Sequence, residues 1–266
     1  VDAADMHLVL QPEVRRHEEF RSGHEAVIRQ EDCIGCGACL MHCRFEAVRM
    51  KGERAGIDAT FTIDPHACEG CGVCVRFCPV NAIDFPERVC GEWYESATRY
   101  GTMLHARLGP SGENSGRLVS LVREEARLAA DREGADWLLA DGPPGIGCPV
   151  IASVTGASAV LVVTEPSLSG EHDLKRVLDL ARGFSVPALT AVNKWDIHPE
   201  MTERIEHLAQ AEGAVVAGRI PYDAAVTWAQ VEAKTLFEIE EGPAADAVRV
   251  LWRNIQATLL PEPSGG

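Results

Sequence analysis

The sequence predicts an α/β fold, a parallel sheet flanked by helices, with a small cysteine-rich α+β module inserted near its amino terminus. Three observations carry this expectation. From Leu118 onward, short apolar runs alternate with amphipathic stretches, the pattern of successive βαβ units. Between Cys33 and Cys78, eight cysteines fall into two copies of one spacing. The 266 residues exceed one typical domain and fall short of two, which suits a main domain plus an insert.

Composition narrows the class. Hydrophobic residues at 46% and charged residues at 24% are ordinary globular usage. No apolar run approaches the roughly 20 residues of a membrane-spanning helix, so no span is expected. The opening VDAADMHLVLQPE has neither a basic leader nor a cleavage site, which points to a cytoplasmic protein. Forty acidic against 25 basic residues give a formal charge of -15. That balance argues against nucleic acid as the partner and for a protein partner with a basic docking face.

Ten cysteines in a chain without an export signal are not expected to form a disulfide framework. Cys33, Cys36, Cys39 and Cys43 lie in CIGCGACLMHC, and Cys68, Cys71, Cys74 and Cys78 in CEGCGVCVRFCP, each cysteine 35 positions after its counterpart. Gly35/Gly70, Gly37/Gly72 and Ala47/Ala82 repeat as well, which marks an internal duplication. In C-x2-C-x2-C-x3-C, three cysteines wrap a tight loop round one cubane and the fourth leaves on a short helix toward the other cluster. One [4Fe-4S] cluster is therefore assigned to Cys33, Cys36, Cys39 and Cys78, the second to Cys68, Cys71, Cys74 and Cys43. Zinc knuckles also use C-x2-C pairs, but have no use for a third cysteine at the same gap and a fourth at x3, repeated twice. Pro79 follows Cys78, whereas Arg44 follows Cys43; Arg44 either shifts the potential of one cluster or is simply solvated. His24, His42 and His66 read as surface residues. Segments 26–30, 47–50, 60–64 and 82–85 read as short strands in two symmetric pairs. The module resembles a bacterial dicluster ferredoxin, and divides the chain into 1–26, an insert at 27–86, and 87–266.

In the remainder, helices are expected at 118–130, from Val150, and at 171–182, 199–211, 223–231 and 244–259. Strands are expected at 137–140, 157–164, 188–192 and 215–220. Ligands of parallel sheets bind at the carboxyl ends of strands. One such end is WLLADGPPGIGCP, where Asp141 would hold Mg2+ or its water and Gly145 would lie near a phosphate. Another is AVNKWD, where Asn193 and Asp196 can bond the edge of a purine. A third, TEPSLSGEHDLKR, opens a helix whose Asp173 and Lys175 read as solvated.

The order of the cysteine insert, GEWYESATRYGTMLHARLGPSGENSGRLVSLVR, DGPPGIGCPVIAS, TEPSLSGEHDLKR and NKWD resembles the MinD-like P-loop ATPases that carry an inserted ferredoxin domain. The resemblance implies a P-loop NTPase-like fold of the MinD and nitrogenase iron protein type, dimerising around ATP. It implies that Asp141 acts as the Walker B or switch II aspartate, that Asn193 contacts adenine, and that Pro221 to Asp223 flank the base. The family's phosphate loop is absent from these residues: no G-x-x-x-x-G-K-[ST] occurs, and the lysines are Lys51, Lys175, Lys194 and Lys234. By the same resemblance the opening lies just after the family's second strand, so the expectation is a truncated sequence lacking about 35 to 45 residues, with Mg-ATP bound only where that loop is present.

Cys90 reads as a small buried residue. Cys148 would suit a third cluster bridging a dimer, but two further ligands would be lacking. Trp93, Tyr94, Arg99, Tyr100 and His105 suggest a hairpin packing the insert onto the body. The function expected is electron transfer by two clusters, gated by nucleotide turnover where the phosphate loop exists. The alternatives are a cluster carrier or assembly ATPase, and a regulatory ATPase that senses redox state.

Overall fold

The computed structural model describes residues 6–51, 60–109, 115–239 and 242–260. Residues 1–5 of the expected first segment, 52–59 of the insert, and 110–114, 240–241 and 261–266 of the third lie outside them. Helix α1 (Met6–Leu10) leads into β1 (Glu13–His24), a strand of which only Phe20 and Ser22 are buried. The repeats follow as β2 (Val27–Ile28), α2 (Ala38–His42), β3 (Val48–Lys51), β4 (Thr60–Ile63), α3 (Val73–Phe77) and β5 (Ile83–Asp84). A hairpin, β6 (Glu87–Thr98) and β7 (Gly101–Leu108), forms a three-stranded sheet with β1 in the order β1-β6-β7. The remainder is α4 (Ser115–Glu133), α5 (Cys148–Val154), β8 (Val160–Thr164), α6 (Leu168–Gly183), β9 (Ala188–Asn193), α7 (Pro199–Ala211), β10 (Val215–Ile220), α8 (Ala224–Val231), α9 (Leu236–Ile239) and α10 (Pro243–Leu259). No described helix is long and apolar enough to cross a membrane.

The chain divides into two compact units. One comprises the described residues of His17–Trp93 and Ala106–Asn114. The other comprises those of Val1–Arg16, Tyr94–His105 and Ser115–Gly266.

In the second unit β9 pairs in parallel with both β8 and β10, so the sheet order is β10-β9-β8. Alternation along β9 feeds two cores. Val192 packs with Leu174 and Leu178 of α6 and Ile205 and Ala209 of α7, while Leu189 and Ala191 pack with Ala217 of β10 and Leu251 of α10. Local chemistry starts the helices: Ser167 Oγ accepts from Gly170 N at 3.0 Å to cap α6, and Pro199 and Pro243 sit in the first turns of α7 and α10. This is the α/β architecture expected from the alternation.

One expected element is not formed. Residues 137–140 carry no ladder, and Leu139 is 77% exposed. An apolar run becomes a strand only by pairing, and among the described residues β8 has β9 as its sheet neighbour and none on its other edge. Asp141 therefore closes an exposed irregular segment and not a strand.

The tip of the β6–β7 hairpin is held within this unit. Arg99 bonds Glu238 through Nε and Nη2, both at 2.7 Å, and donates to the carbonyls of Val9 and Leu10 at 2.9 and 3.0 Å. Below the tip, Tyr94 stacks on His105, whose Nε2 lies 2.9 Å from Ser96 Oγ. Burial lowers the His105 pKa, and neighbouring His7 adds to this. The folded state thus binds fewer protons here than the unfolded chain, whose histidine titrates near about 6.5. The stability due to neutral His105 is complete above that pH and is lost as pH falls through the depressed folded value. Melting curves from pH about 7.5 to about 5.5 are expected to fall less steeply for His105→Gln than for the wild type. Parallel curves would refute the assignment.

Candidate iron-sulfur centre

Each cysteine loop is built by the same local devices. Gly37 and Gly72 adopt left-handed backbone, φ 73° and 70°, immediately before α2 and α3. That turn brings the third cysteine of each set, Cys39 or Cys74, back toward the first two, and a side chain there would be strained. The fourth cysteines, Cys43 and Cys78, follow the helices in extended backbone, φ -82° and -76°. The strands interlock the halves: β2 pairs with β5 and β3 with β4, both antiparallel, so each ladder joins one repeat to the other.

The result is two open-mouthed hollows, each lined by cysteines of both repeats. Cys33, Cys36 and Cys39 line the first together with Cys78 of the other repeat. Cys68, Cys71 and Cys74 line the second together with Cys43. The walls are apolar, with Ile28, Phe61 and Ile83 on one and Ala26, Val48 and Ile63 on the other. Four thiols ringing each hollow are the donor set of a [4Fe-4S] cluster, which is held by four cysteine thiolates.

Burial pushes the Cys39 thiol up to about 11, and Cys33 and Cys36 beside it act in the same direction. Cys74 is raised by burial too, with Cys68 and Cys71 adding. Such thiols become thiolates when a cationic core offsets the desolvation, so loading releases protons. The N–H of Ala82 donates to Cys78 Sγ at 3.2 Å. Arg29 braces the crossed arrangement: it donates to Asp32 at 2.7 Å beside Cys33, and to Asn81 O at 2.6 Å and Asp84 beyond Cys78. Arg44 is exposed and lies over the Phe45 ring. His42 stacks on Phe77 at 4.0 Å and His24 on Phe85 at 4.7 Å, and with His66 all three histidines are exposed.

The other expected site residues divide. Asn193 ends β9, Asp196 follows it in a short 3-10 turn, and Pro221 follows β10, so all three lie at the carboxyl ends of neighbouring parallel strands. Part of their polarity is used locally: Asn193 Oδ1 accepts from Lys194 N at 3.1 Å and Asp196 Oδ1 from Tyr222 N at 2.7 Å. Asp141 and Gly145 are exposed on the irregular segment before α5. Cys148 is exposed in the first turn of α5, while Cys90 is 3% exposed and its thiol donates to Ser22 O at 3.1 Å.

Residues 26–85 match the family model described as a 4Fe-4S dicluster domain. The chain carries a 4Fe-4S dicluster domain. It is 31% identical over 164 residues to the uncharacterized protein MJ0578 of Methanocaldococcus jannaschii, covering 62% of this chain and 54% of that one. It is 25% identical over 115 residues to MJ0579 of the same organism, covering 43% and 41%. The chain thus spans about half or less of the length of the curated relatives it matches. Among solved structures it is similar to the cell division ATPase MinD of Pyrococcus furiosus, with TM-score 0.45, 19% identity, and coverage of 56% of this chain and 60% of that one. It is also similar to the MinC:MinD cell division complex of Aquifex aeolicus, with TM-score 0.47, 21% identity, and coverage of 65% and 71%.

Spacing alone did not reveal everything that shapes the dicluster domain. The Arg29 contacts and the Ala82 N–H bond to sulfur were missed, because both join residues far apart in sequence or involve backbone. A signal for the first existed: Arg29 and Asp64, and Arg49 and Asp84, occupy equivalent positions of the repeat with opposite charge.

Proposed function

We propose that the dicluster domain, at 27–86 between segments 1–26 and 87–266, holds two [4Fe-4S] clusters and passes single electrons to a protein partner with a basic docking face. The observation that carries the reading is the crossed lining of the two cavities, three cysteines of one repeat with the fourth of the other. When bound, a cluster takes up one electron from a donor and gives it to an acceptor. The chain's own residues do the rest. The eight cysteines ligate, the apolar walls limit water, and the Ala82 N–H and the flanking charges bias the potential. The formal charge of -15 supports a basic partner surface.

Anaerobic reconstitution with ferrous iron and sulfide is expected to load about eight irons per chain, with electron paramagnetic resonance of two clusters after reduction. One or two metals per chain without sulfide would overturn the reading. Asn193, Asp196 and Pro221 support a purine subsite at the strand ends. Without a phosphate loop in these residues, calorimetry with MgATP is expected to show weak or no binding by the reconstituted 266-residue chain. Clear saturable binding would refute that expectation and leave the cluster assignment standing.

A further inference from the structure

The two repeats align under a shift of 35 positions, which places Arg29 over Asp64 and Arg49 over Asp84. Each of these residues meets the other repeat. Arg29 pairs with Asp84, and Arg49 with Asp64 at 3.1 Å. The surrounding backbone is equivalent: Arg29 N–H bonds Ala82 O and Asp64 N–H bonds Ala47 O, both at 2.8 Å and related by the same shift. The strand partners Val27 and Asp84, and Thr62 and Arg49, correspond in the same way. The domain therefore makes one ion pair twice with its sign reversed, because the first repeat carries a cation at both positions and the second an anion at both.

We propose that these charges are a pairing code on the surface where the repeats meet, by which a first-repeat half accepts a second-repeat half and rejects another copy of itself. Two first-repeat halves joined in the same geometry would set Arg29 against Arg49 twice, and two second-repeat halves would set Asp64 against Asp84 twice. Such a device has a purpose, because the backbone by itself does not separate the halves. Both present the same cysteine spacing and short antiparallel strands, whose backbone bonds carry almost no partner information. Each cavity draws cysteines from both halves, so pairing like halves of two chains would couple the chains through strands and ligands together. The four side chains are partly exposed, so the code selects among competing pairings more than it adds to stability.

Exchanging signs tests the code while keeping both ion pairs between the repeats, although R29D also removes the Arg29–Asp32 pair within the first repeat. R49D/D64R keeps a bridge in the native pairing but leaves each half with one charge of each sign, so like halves become complementary. R29D/D84R does the same at the other position. R29D/R49D/D64R/D84R exchanges both bridges and restores the rejection. The full chain is refolded anaerobically with iron and sulfide at low salt and at about 0.5 M salt, where screening shortens to a few ångströms. The associated fraction is then read by size exclusion with light scattering. Each two-residue exchange is expected to raise that fraction roughly threefold or more at low salt, with the four-residue exchange returning to the wild-type level and high salt abolishing the difference. Equal association of two-residue and four-residue exchanges overturns the proposal. Arg29 also holds Asp32 and Asn81, so R49D/D64R, which leaves it intact, is additionally compared with R49Q/D64N. The neutral pair is expected to associate less, and equal association again overturns the code.

Discussion

Replacing Cys36 and Cys78 together by serine is expected to remove one cluster and leave the spectrum of the other, whereas Cys36→Ser with Cys43→Ser removes both. Crossed grouping dictates this. Cys36 and Cys78 line one cavity although they belong to different repeats, while Cys36 and Cys43 share a repeat and line different cavities. Iron and sulfide should fall to about half in the first variant and to near zero in the second. A ligand set contiguous in sequence would give the reverse pattern, and that result would refute the assignment. Because both variants lose two thiols, a general loss of folding would appear in both alike and cannot mimic the expected contrast.

Phe61→Ala is expected to be the most damaging single change to the dicluster domain outside the cysteines. Its ring is 1% exposed, packs with Ala26, Ile28, Val48 and Ile83, and lines the first cavity although it lies on a strand of the second repeat. Deleting a buried phenyl ring costs about 3–5 kcal/mol, through lost burial and the cavity left behind. Unfolding followed by cluster absorbance reads the effect, together with the rate at which a chelator removes iron from each variant. Phe61→Leu keeps much of the volume and should lose distinctly less. A shift below about 1 kcal/mol for the alanine variant would mean that the wall collapses onto the gap and that Phe61 does not shape the cavity.

Periodicity was a good guide wherever an element carries its own apolar face. The expected helix at 199–211 and strand at 215–220 coincide with α7 and β10, because each buries a face set by its own spacing. Segments 26–30, 47–50, 60–64 and 82–85 hold β2 to β5. The failures have a common cause. Residues 137–140 read as a strand but lack a ladder partner among the described residues, and β1, with charges at half of its positions, reads as no strand yet pairs with β6, more than sixty residues later. Strand identity is a property of the pair, and one sequence pattern cannot supply the second member. Among candidate site residues, Asn193, Asp196 and Pro221 lie together at strand ends, whereas Asp141 and Gly145 lie on an exposed segment.

By itself, the sequence determined the chemistry of the centre. Repeated C-x2-C-x2-C-x3-C spacing selects thiolate ligation of a cubane, since no other common site uses that many sulfurs at those intervals. What only the tertiary structure decided is which charges and walls surround the sulfurs. Arg29 facing Asp84, Arg49 facing Asp64, Phe61 on the far cavity and the Ala82 N–H on Cys78 arise because the two ladders fold each repeat across the other. Ligand spacing is local along the chain and survives in the sequence. Electrostatic environment acts through space, and appears only when the strands have paired.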